Sequence, residues 1–305
     1  MADEYLCAVA VATIWSKPEC VRAVDQPGIT NPVSISTWIE NMSRQQREEL
    51  CYESRIESQL LYGEKVEVDE IHGEWAKIRA VQQPYRQQDT GYPGWVPVVQ
   101  LVKKERGETN GYIKVKESRT QLFDDQRNPL IVVSFNTVLP VLSQLEDTYM
   151  VDTPHGRSQI VKDAVHFANE PNGFVKKDAK TVANTMLMFL DIPYFWAGMS
   201  SYGYDCSGLT FNAMKACGYS ISRDASDQAQ GGKEVEINDR ESWKIGDLVF
   251  FTTPGKESVR HVGIYLGAST LLHTSINSGK VEVINLEGHP LNKEITHIRR
   301  YIGEA

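Results

Sequence analysis

Short runs in which apolar and polar residues alternate, each ended by turn formers, fill the chain as far as about residue 175. Ala8-Val9-Ala10-Val11-Ala12, Lys65-Val66-Glu67-Val68, Trp75-Ala76-Lys77-Ile78 and Gly94-Trp95-Val96-Pro97 are such runs. A period of two over so few residues suits half-buried strands and no helix, so small antiparallel β-domains are expected. A more polar stretch from Ser36-Thr37-Trp38-Ile39-Glu40 to Glu49-Leu50 interrupts them with apolar residues at helical spacing, and Ser34 or Ser36 is placed to cap a helix there. The strand texture restarts near Gly111 and runs through Tyr112-Ile113-Lys114-Val115, Pro129-Leu130-Ile131-Val132-Val133, Val138-Leu139-Pro140-Val141-Leu142 and Thr148-Tyr149-Met150-Val151.

After Phe174 the period changes. Val182, Ala183, Met186, Leu187 and Leu190 lie at helical spacing, and Pro193 is expected to end that helix. A second helix is expected to open at Asp205 or Cys206 and to run to Cys217, with Gly218 as its left-handed stop. Asp247-Leu248-Val249-Phe250-Phe251, His261-Val262-Gly263-Ile264-Tyr265-Leu266 and Thr270-Leu271-Leu272-His273-Thr274 read as strands, with Asn277-Ser278-Gly279-Lys280 as a hairpin turn into Val281-Glu282-Val283. Helices followed by an antiparallel sheet make an α+β domain.

The chemistry concentrates at the start of the second helix. Cys206 falls in its first turn, where unpaired N–H groups and the helix dipole favour a thiolate. Asp205 and Ser207 flank it and suit N-capping. His261 and His273 lie on successive strands, where they can face each other across the sheet; one imidazole then takes the thiol proton while the other fixes its tautomer. The other four cysteines, Cys7, Cys20, Cys51 and Cys217, read as structural thiols of a reducing compartment: an odd total of five without Cys-x-x-Cys spacing fits neither a disulfide framework nor a zinc knuckle. His72, His155, His166, His289 and His297 read as structural histidines. A net charge of −8 argues against nucleic acid as a partner. No apolar run approaches the length of a membrane span, and the opening residues read as a strand rather than a signal peptide.

Trp196-Ala197-Gly198, Asp205-Cys206-Ser207-Gly208-Leu209, Arg223-Asp224, Gly246-Asp247-Leu248-Val249-Phe250-Phe251, His261-Val262-Gly263-Ile264-Tyr265 and Leu272-His273 follow one another in the order of the NlpC/P60 cysteine peptidases. The stretch Leu61-Tyr62-Gly63-Glu64-Lys65-Val66-Glu67-Val68, with Gly73-Glu74-Trp75-Ala76-Lys77-Ile78, resembles the bacterial SH3-like domain, and residues 112–165 resemble a diverged second copy. The resemblance implies two N-terminal SH3-like β-barrels followed by a papain-like α+β catalytic domain: residues 1–104, with a helical insertion near 34–52, then 105–172, then 173–305. It implies a Cys206–His261–His273 triad; a cleft lined by Trp196, Asp205, Ser207 and Asp224, which Tyr194 closes; and recognition of a free substrate amine by Glu57, just ahead of a strand, and by Tyr92 in an aromatic loop, Gly91-Tyr92-Pro93-Gly94-Trp95. Ala225 stands where the family commonly has serine, which puts one hydroxyl contact in doubt unless Ser226 substitutes.

The activity that this resemblance implies is that of γ-D-glutamyl-L-diamino acid endopeptidases: hydrolysis of free muropeptides with release of L-Ala-D-Glu, in murein peptide recycling. No cofactor or metal is expected, no nucleic acid or membrane partner, a monomer, and a cytoplasmic location unless a leader precedes the chain. The rival readings are a wall-peptide-binding protein with a weak or inactive catalytic domain, a zinc protein built on Cys206, His261 and His273, and an enzyme using the same triad for acyl transfer or general amide hydrolysis.

Overall fold

The alternating runs of the first β-domain become seven strands: β1 (Asp3–Cys7), β2 (Val11–Trp15), β3 (Ile56–Leu61), β4 (Lys65–His72), β5 (Trp75–Ala80), β6 (Tyr92–Pro97) and β7 (Leu101–Lys103). They form one sheet in the order β3-β2-β6-β5-β4-β1-β7. Along β4 and β5 the pleat places Val66, Val68, Ala76 and Ile78 in the core and turns the residues between them outward. The protein is described here by a computed structural model covering residues 3–88, 90–104 and 107–303.

Between β2 and β3 the chain makes three helices, α1 (Gln26–Ile29), α2 (Ile35–Asn41) and α3 (Arg44–Tyr52), where the spacing alone suggested one. Ser34 stands at the start of α2 without capping it and Ser36 lies inside it; the working cap is Ser43, whose hydroxyl accepts from the Gln46 N–H while the Gln46 side chain accepts from the Ser43 N–H. Trp38 of α2 is fully buried, 5.9 Å from Trp15 between ring centroids, and its indole N–H donates to Asp25 at 3.0 Å. Arg22 closes this cluster through Asp25, Glu49 and the Gln46 carbonyl. A Cβ on Gly28 would stand 2.7 Å from the Trp38 ring, so only glycine fits beneath it.

The second β-domain repeats the first strand for strand. Its elements are β8 (Tyr112–Val115), β9 (Arg119–Asp124), β10 (Pro129–Ser134), β11 (Val138–Gln144), β12 (Thr148–Thr153), β13 (Gly156–Val161) and β14 (Val165–Ala168). Their order, β10-β9-β13-β12-β11-β8-β14, is that of the first sheet shifted by seven strands. Tyr62 of the first domain packs into the second domain's core, stacked on His155 with its hydroxyl 2.8 Å from Nδ1. The boundary expected between residues 104 and 105 falls at residues 105–106, outside the described residues.

The chain divides into two units: Met1–Gln83, Thr90–Phe174 and Trp196–Tyr202 form one, while Pro84–Asp89, Val175–Phe195 and Gly203–Ala305 form the other. The first unit holds both β-domains and β15 (Met199–Ser200). In the second unit, α4 (Ala179–Leu187) starts at an Asp178 cap and ends before Pro193; the turn beyond it carries Asp191 at φ 66°. The remaining elements are β16 (Gly203–Tyr204), α5 (Cys206–Ala216), α6 (Ala225–Gln228), β17 (Lys233–Glu234), β18 (Leu248–Thr252), β19 (Val259–Gly267), β20 (Thr270–Thr274), β21 (Val281–Asn285) and β22 (Ile295–Arg300). Gly218, at φ 80°, follows the end of α5. The antiparallel sheet runs β17-β22-β18-β19-β20-β21, and α5 packs on β19 and β20, buried from Cys206 to Met214. No helix among the described residues is long and apolar enough to cross a membrane.

Candidate active site

Asp205 is extended (φ −89°, ψ 176°) and caps α5: its Oδ1 accepts from the Gly208 N–H at 2.6 Å and from the Ser207 hydroxyl at 3.2 Å. The same carboxylate is gripped by Arg223, whose Nη2 donates to Oδ2 at 2.7 Å; Nη1 donates to the Ser207 hydroxyl at 2.8 Å and lies 3.3 Å from Oδ1. Both charged side chains are almost sealed from water, at 1 % and 6 % exposure. A buried ion pair of this kind stands because its desolvation is offset by several convergent hydrogen bonds. Arg223 is held in turn by its backbone N–H to the Pro84 carbonyl at 3.0 Å, within the same unit, and by Gln228, whose side-chain amide donates to the Ser207 and Ser222 carbonyls.

Cys206 opens α5 directly behind this cap, on the helix that packs on β19 and β20. His261 stands next to Val262 on β19, and its Nε2 lies 2.9 Å from Nδ1 of His273 on β20, the two rings at 77°. The strands pair Ile264 with Leu272. Continued by one residue, that register sets Gly263 opposite His273, so the two histidines meet on the diagonal rather than face to face. Gly263 has no room for more: a Cβ there would come within 2.8 Å of the Leu271 side chain. Phe251 of β18 closes over His261 at 5.4 Å.

Burial sets the protonation of all three groups. It pushes the Cys206 thiol up to about 12, reinforced by the Asp205 charge and opposed by the Val262 and Ser207 hydrogen bonds and by Arg223. His261 is held well below the ordinary imidazole range by burial first, then by His273 and Arg260. His273 is lowered to about 4 by burial, against the pull of Glu282. All three shifts favour the neutral forms, so burial opposes the thiolate that the helix start favours.

The second unit thus brings together Cys206, His261, His273, Asp205 and Ser207. Half-buried Asp224 begins the short α6, Ala225 is its first residue, and Ser226 beyond it is exposed. Tyr194 is half-buried, with its backbone N–H on the Gly279 carbonyl at 2.8 Å. Trp196 belongs to the first unit, where its indole N–H donates to the Ile56 carbonyl at 3.1 Å and the nearby Met199 N–H donates to Gln59 Oε1 at 2.9 Å. Glu57 lies within β3 itself, half-buried, and Tyr92 is a buried residue of β6, so neither the position ahead of a strand nor the loop expected for them is observed.

Two residues escaped the reading of the sequence. Arg223 was visible as half of an Arg-Asp pair, but nothing local tied it to Asp205, 18 positions away. Glu282 mirrors His273 across the β20–β21 hairpin, and its Oε1 lies 3.5 Å from His273 Nε2. The described residues contain no group of three or more His, Cys, Asp and Glu that could hold a metal ion.

Residues 191–300 match the NlpC/P60 family, and residues 115–167 match the YKFC SH3b2 domain. The chain is 36 % identical over 297 residues to the γ-D-glutamyl-L-lysine dipeptidyl-peptidase of Bacillus subtilis, covering 97 % of this chain and 98 % of that one. It is 34 % identical over 301 residues to the Bacillus cereus protein of the same name, covering 96 % and 90 %. A crystal structure of an NlpC/P60 family protein from Bacillus cereus superposes with a TM-score of 0.91 at 33 % identity, covering 98 % of this chain and all of that one. Likeness along the whole length, and not only over the peptidase core, joins the two SH3-like domains and the Cys–His–His arrangement in one lineage: the chain belongs to the NlpC/P60 family of cysteine peptidases.

Proposed function

We propose that the protein hydrolyses the γ-D-glutamyl–diamino acid bond of free muropeptides and releases L-Ala-D-Glu. The observation that carries this reading is the 2.9 Å contact between His261 Nε2 and His273 Nδ1, because it occupies Nε2 and leaves Nδ1 of His261 as the nitrogen free to act on Cys206. In the proposed reaction the Cys206 thiol proton passes to His261 as the sulfur attacks the γ-carbonyl carbon. The tetrahedral intermediate collapses as His261 returns that proton to the leaving amine, so the diamino acid departs and L-Ala-γ-D-Glu remains as a thioester. Water, deprotonated by His261, then cleaves the thioester and restores the thiol. The Cys206 backbone N–H at the start of α5 supplies one donor for the oxyanion.

Lysine is the first diamino acid to test, because it stands in the name of both full-length relatives. Glu57 and Tyr92 are assigned to the free α-ammonium of the substrate's alanine, a charge-assisted contact worth roughly 1.5–3 kcal/mol. The same assignment makes peptides with a free alanine amine, already liberated from the wall polymer, the natural substrate. Incubation with L-Ala-γ-D-Glu-L-Lys and with the diaminopimelate peptide, followed by mass spectrometry, should show L-Ala-D-Glu and the free diamino acid. The N-acetylated peptides should remain intact, and Glu57→Ala should narrow that discrimination. Peptide binding without turnover would overturn the enzymatic reading; equal rates on free and acetylated peptides would overturn the amine assignment alone.

A further inference from the structure

His273 is almost fully buried, and its Nε2 finds no hydrogen-bond partner closer than the Glu282 carboxylate at 3.5 Å. Glu282 pairs directly with His273 across the β20–β21 ladder, and its side chain is about one-third exposed, at 31 %. We infer that Glu282 is a positioning residue that selects the tautomer of His273 on which the proposed hydrolysis depends.

The argument is one of proton counting. If His273 carried its hydrogen on Nδ1, it would donate to His261 Nε2, and the hydrogen of neutral His261 would then sit on Nδ1, where the base must be free. If His273 carries its hydrogen on Nε2, Nδ1 accepts from His261 Nε2–H, and His261 Nδ1 keeps its lone pair for the Cys206 proton. A carboxylate beside Nε2 favours the second arrangement, since an anion attracts a donor and repels a lone pair. It also favours the positive charge that reaches His261 when the thiol proton arrives. The other charged or titratable groups acting on the pair are His289 on His273 and Arg260 on His261, and both oppose positive charge there. Among the described residues, the Glu282 charge pulls the other way on His273.

This inference rests on the triad reading above, so its test includes a measurement that needs no turnover. Two-bond ¹H–¹⁵N couplings in histidine-labelled protein report each tautomer directly. His273 is expected as the Nε2–H form in the native protein and in Glu282→Gln, whose side-chain oxygen still accepts, and as a mixture in Glu282→Leu. With the tripeptide substrate, kcat should fall about tenfold in Glu282→Leu with KM unchanged, as for other supports of a working imidazole. Glu282→Gln should stay within about threefold of the native rate, because its amide oxygen still accepts from Nε2–H. A native Nδ1–H tautomer, or equal losses in the Gln and Leu variants, would overturn the role. Absence of hydrolysis in every protein, with the tautomers as expected, would instead refute the triad reading and leave the positioning intact.

Discussion

Arg223→Met tests whether the entrance of α5 is held by one buried ion pair. The substitution keeps most of the side-chain volume and removes the guanidinium that pairs with Asp205, which then keeps the Gly208 N–H and the Ser207 hydroxyl as its donors. With both partners at 6 % exposure or less, water cannot replace the guanidinium. Breaking such a pair from one side costs about 3–5 kcal/mol, because a buried carboxylate is left uncompensated. At about 1.4 kcal/mol per factor of ten, amide exchange along α5 should speed up by roughly two to four orders of magnitude. Hydrogen exchange followed by mass spectrometry over residues 206–216 reads this locally, which matters in a chain of two units whose unfolding need not be one step. Asp205→Asn should restore part of the loss in the double variant, since it removes the stranded charge. Exchange accelerated less than tenfold in Arg223→Met, or strict additivity in the double variant, would show that the pair does not hold the helix start.

The remaining expectations concern the triad, the response to acid and the helical insertion. Cys206→Ala should fold normally and lose essentially all hydrolysis; His261→Ala should lose most of it, and His273→Gln less, because another polar group can partly orient His261, and rates on the tripeptide check all three. Burial of neutral His273, lowered to about 4 from an ordinary value near 6.5, means that the unfolded chain takes up its proton first as pH falls. Stability from this group is therefore complete above about pH 6.5 and should decline by about 3 kcal/mol on reaching pH 4, with His261 adding to the loss. Urea titrations from pH 7 to 4 should show a shallower decline for His273→Gln, and an unchanged slope would rule this origin out. Trp38→Phe should cost roughly 1.5–3 kcal/mol by leaving buried Asp25 one donor short, read as a lower urea midpoint; no change there would mean that Arg22 alone satisfies the carboxylate.

What could be read from the sequence was whatever repeats over a short distance. Alternation announced most strands of both β-domains, and Gly218 announced the end of α5, because each depends on neighbours a few residues apart. Ala8-Val9-Ala10-Val11-Ala12 is the exception, since residues 8–10 form the turn between β1 and β2 and only Val11 and Ala12 enter a strand. The second copy was legible as a resemblance over residues 112–165, but the strand order within each sheet was not, since it joins residues such as Thr13 and Gln59 that lie far apart in the chain. Tyr92 was placed in an aromatic loop, although it sits in β6, paired with Ala80 and continuous with the Gly94-Trp95-Val96-Pro97 run. In the site, the residue types His261 and His273 were readable from their motifs, whereas their diagonal meeting depends on a register that only the folded β19–β20 pair displays. The ion pair of Asp205 with Arg223 and the approach of Glu282 to His273 were hidden for the same reason.

The protonation of Cys206 is where local reasoning and the folded environment disagree most, and the disagreement bears on how the thiol is activated. A helix start and a nearby imidazole suggest a ready-made thiolate, as the first turn of α5 alone would provide. In the folded domain the thiol is buried behind Asp205, whose negative charge opposes a second anion beside it. Arg223 neutralises part of that charge, and the backbone of Val262 and of Ser207 also favours an anion on the sulfur. These groups only partly oppose the upward shift from burial, and they favour the anion once His261 takes the proton. Proton transfer is then coupled to attack on the carbonyl rather than completed before it, and the negative charge passes to the substrate oxygen instead of accumulating on sulfur. This ordering predicts slow reaction of Cys206 with iodoacetamide at neutral pH, slower than at the more accessible Cys20 and Cys51, alongside rapid acylation by a correctly bound peptide. Tryptic mapping of alkylated protein separates the cases: preferential labelling of Cys206 would show that a thiolate preexists and that burial does not govern its charge.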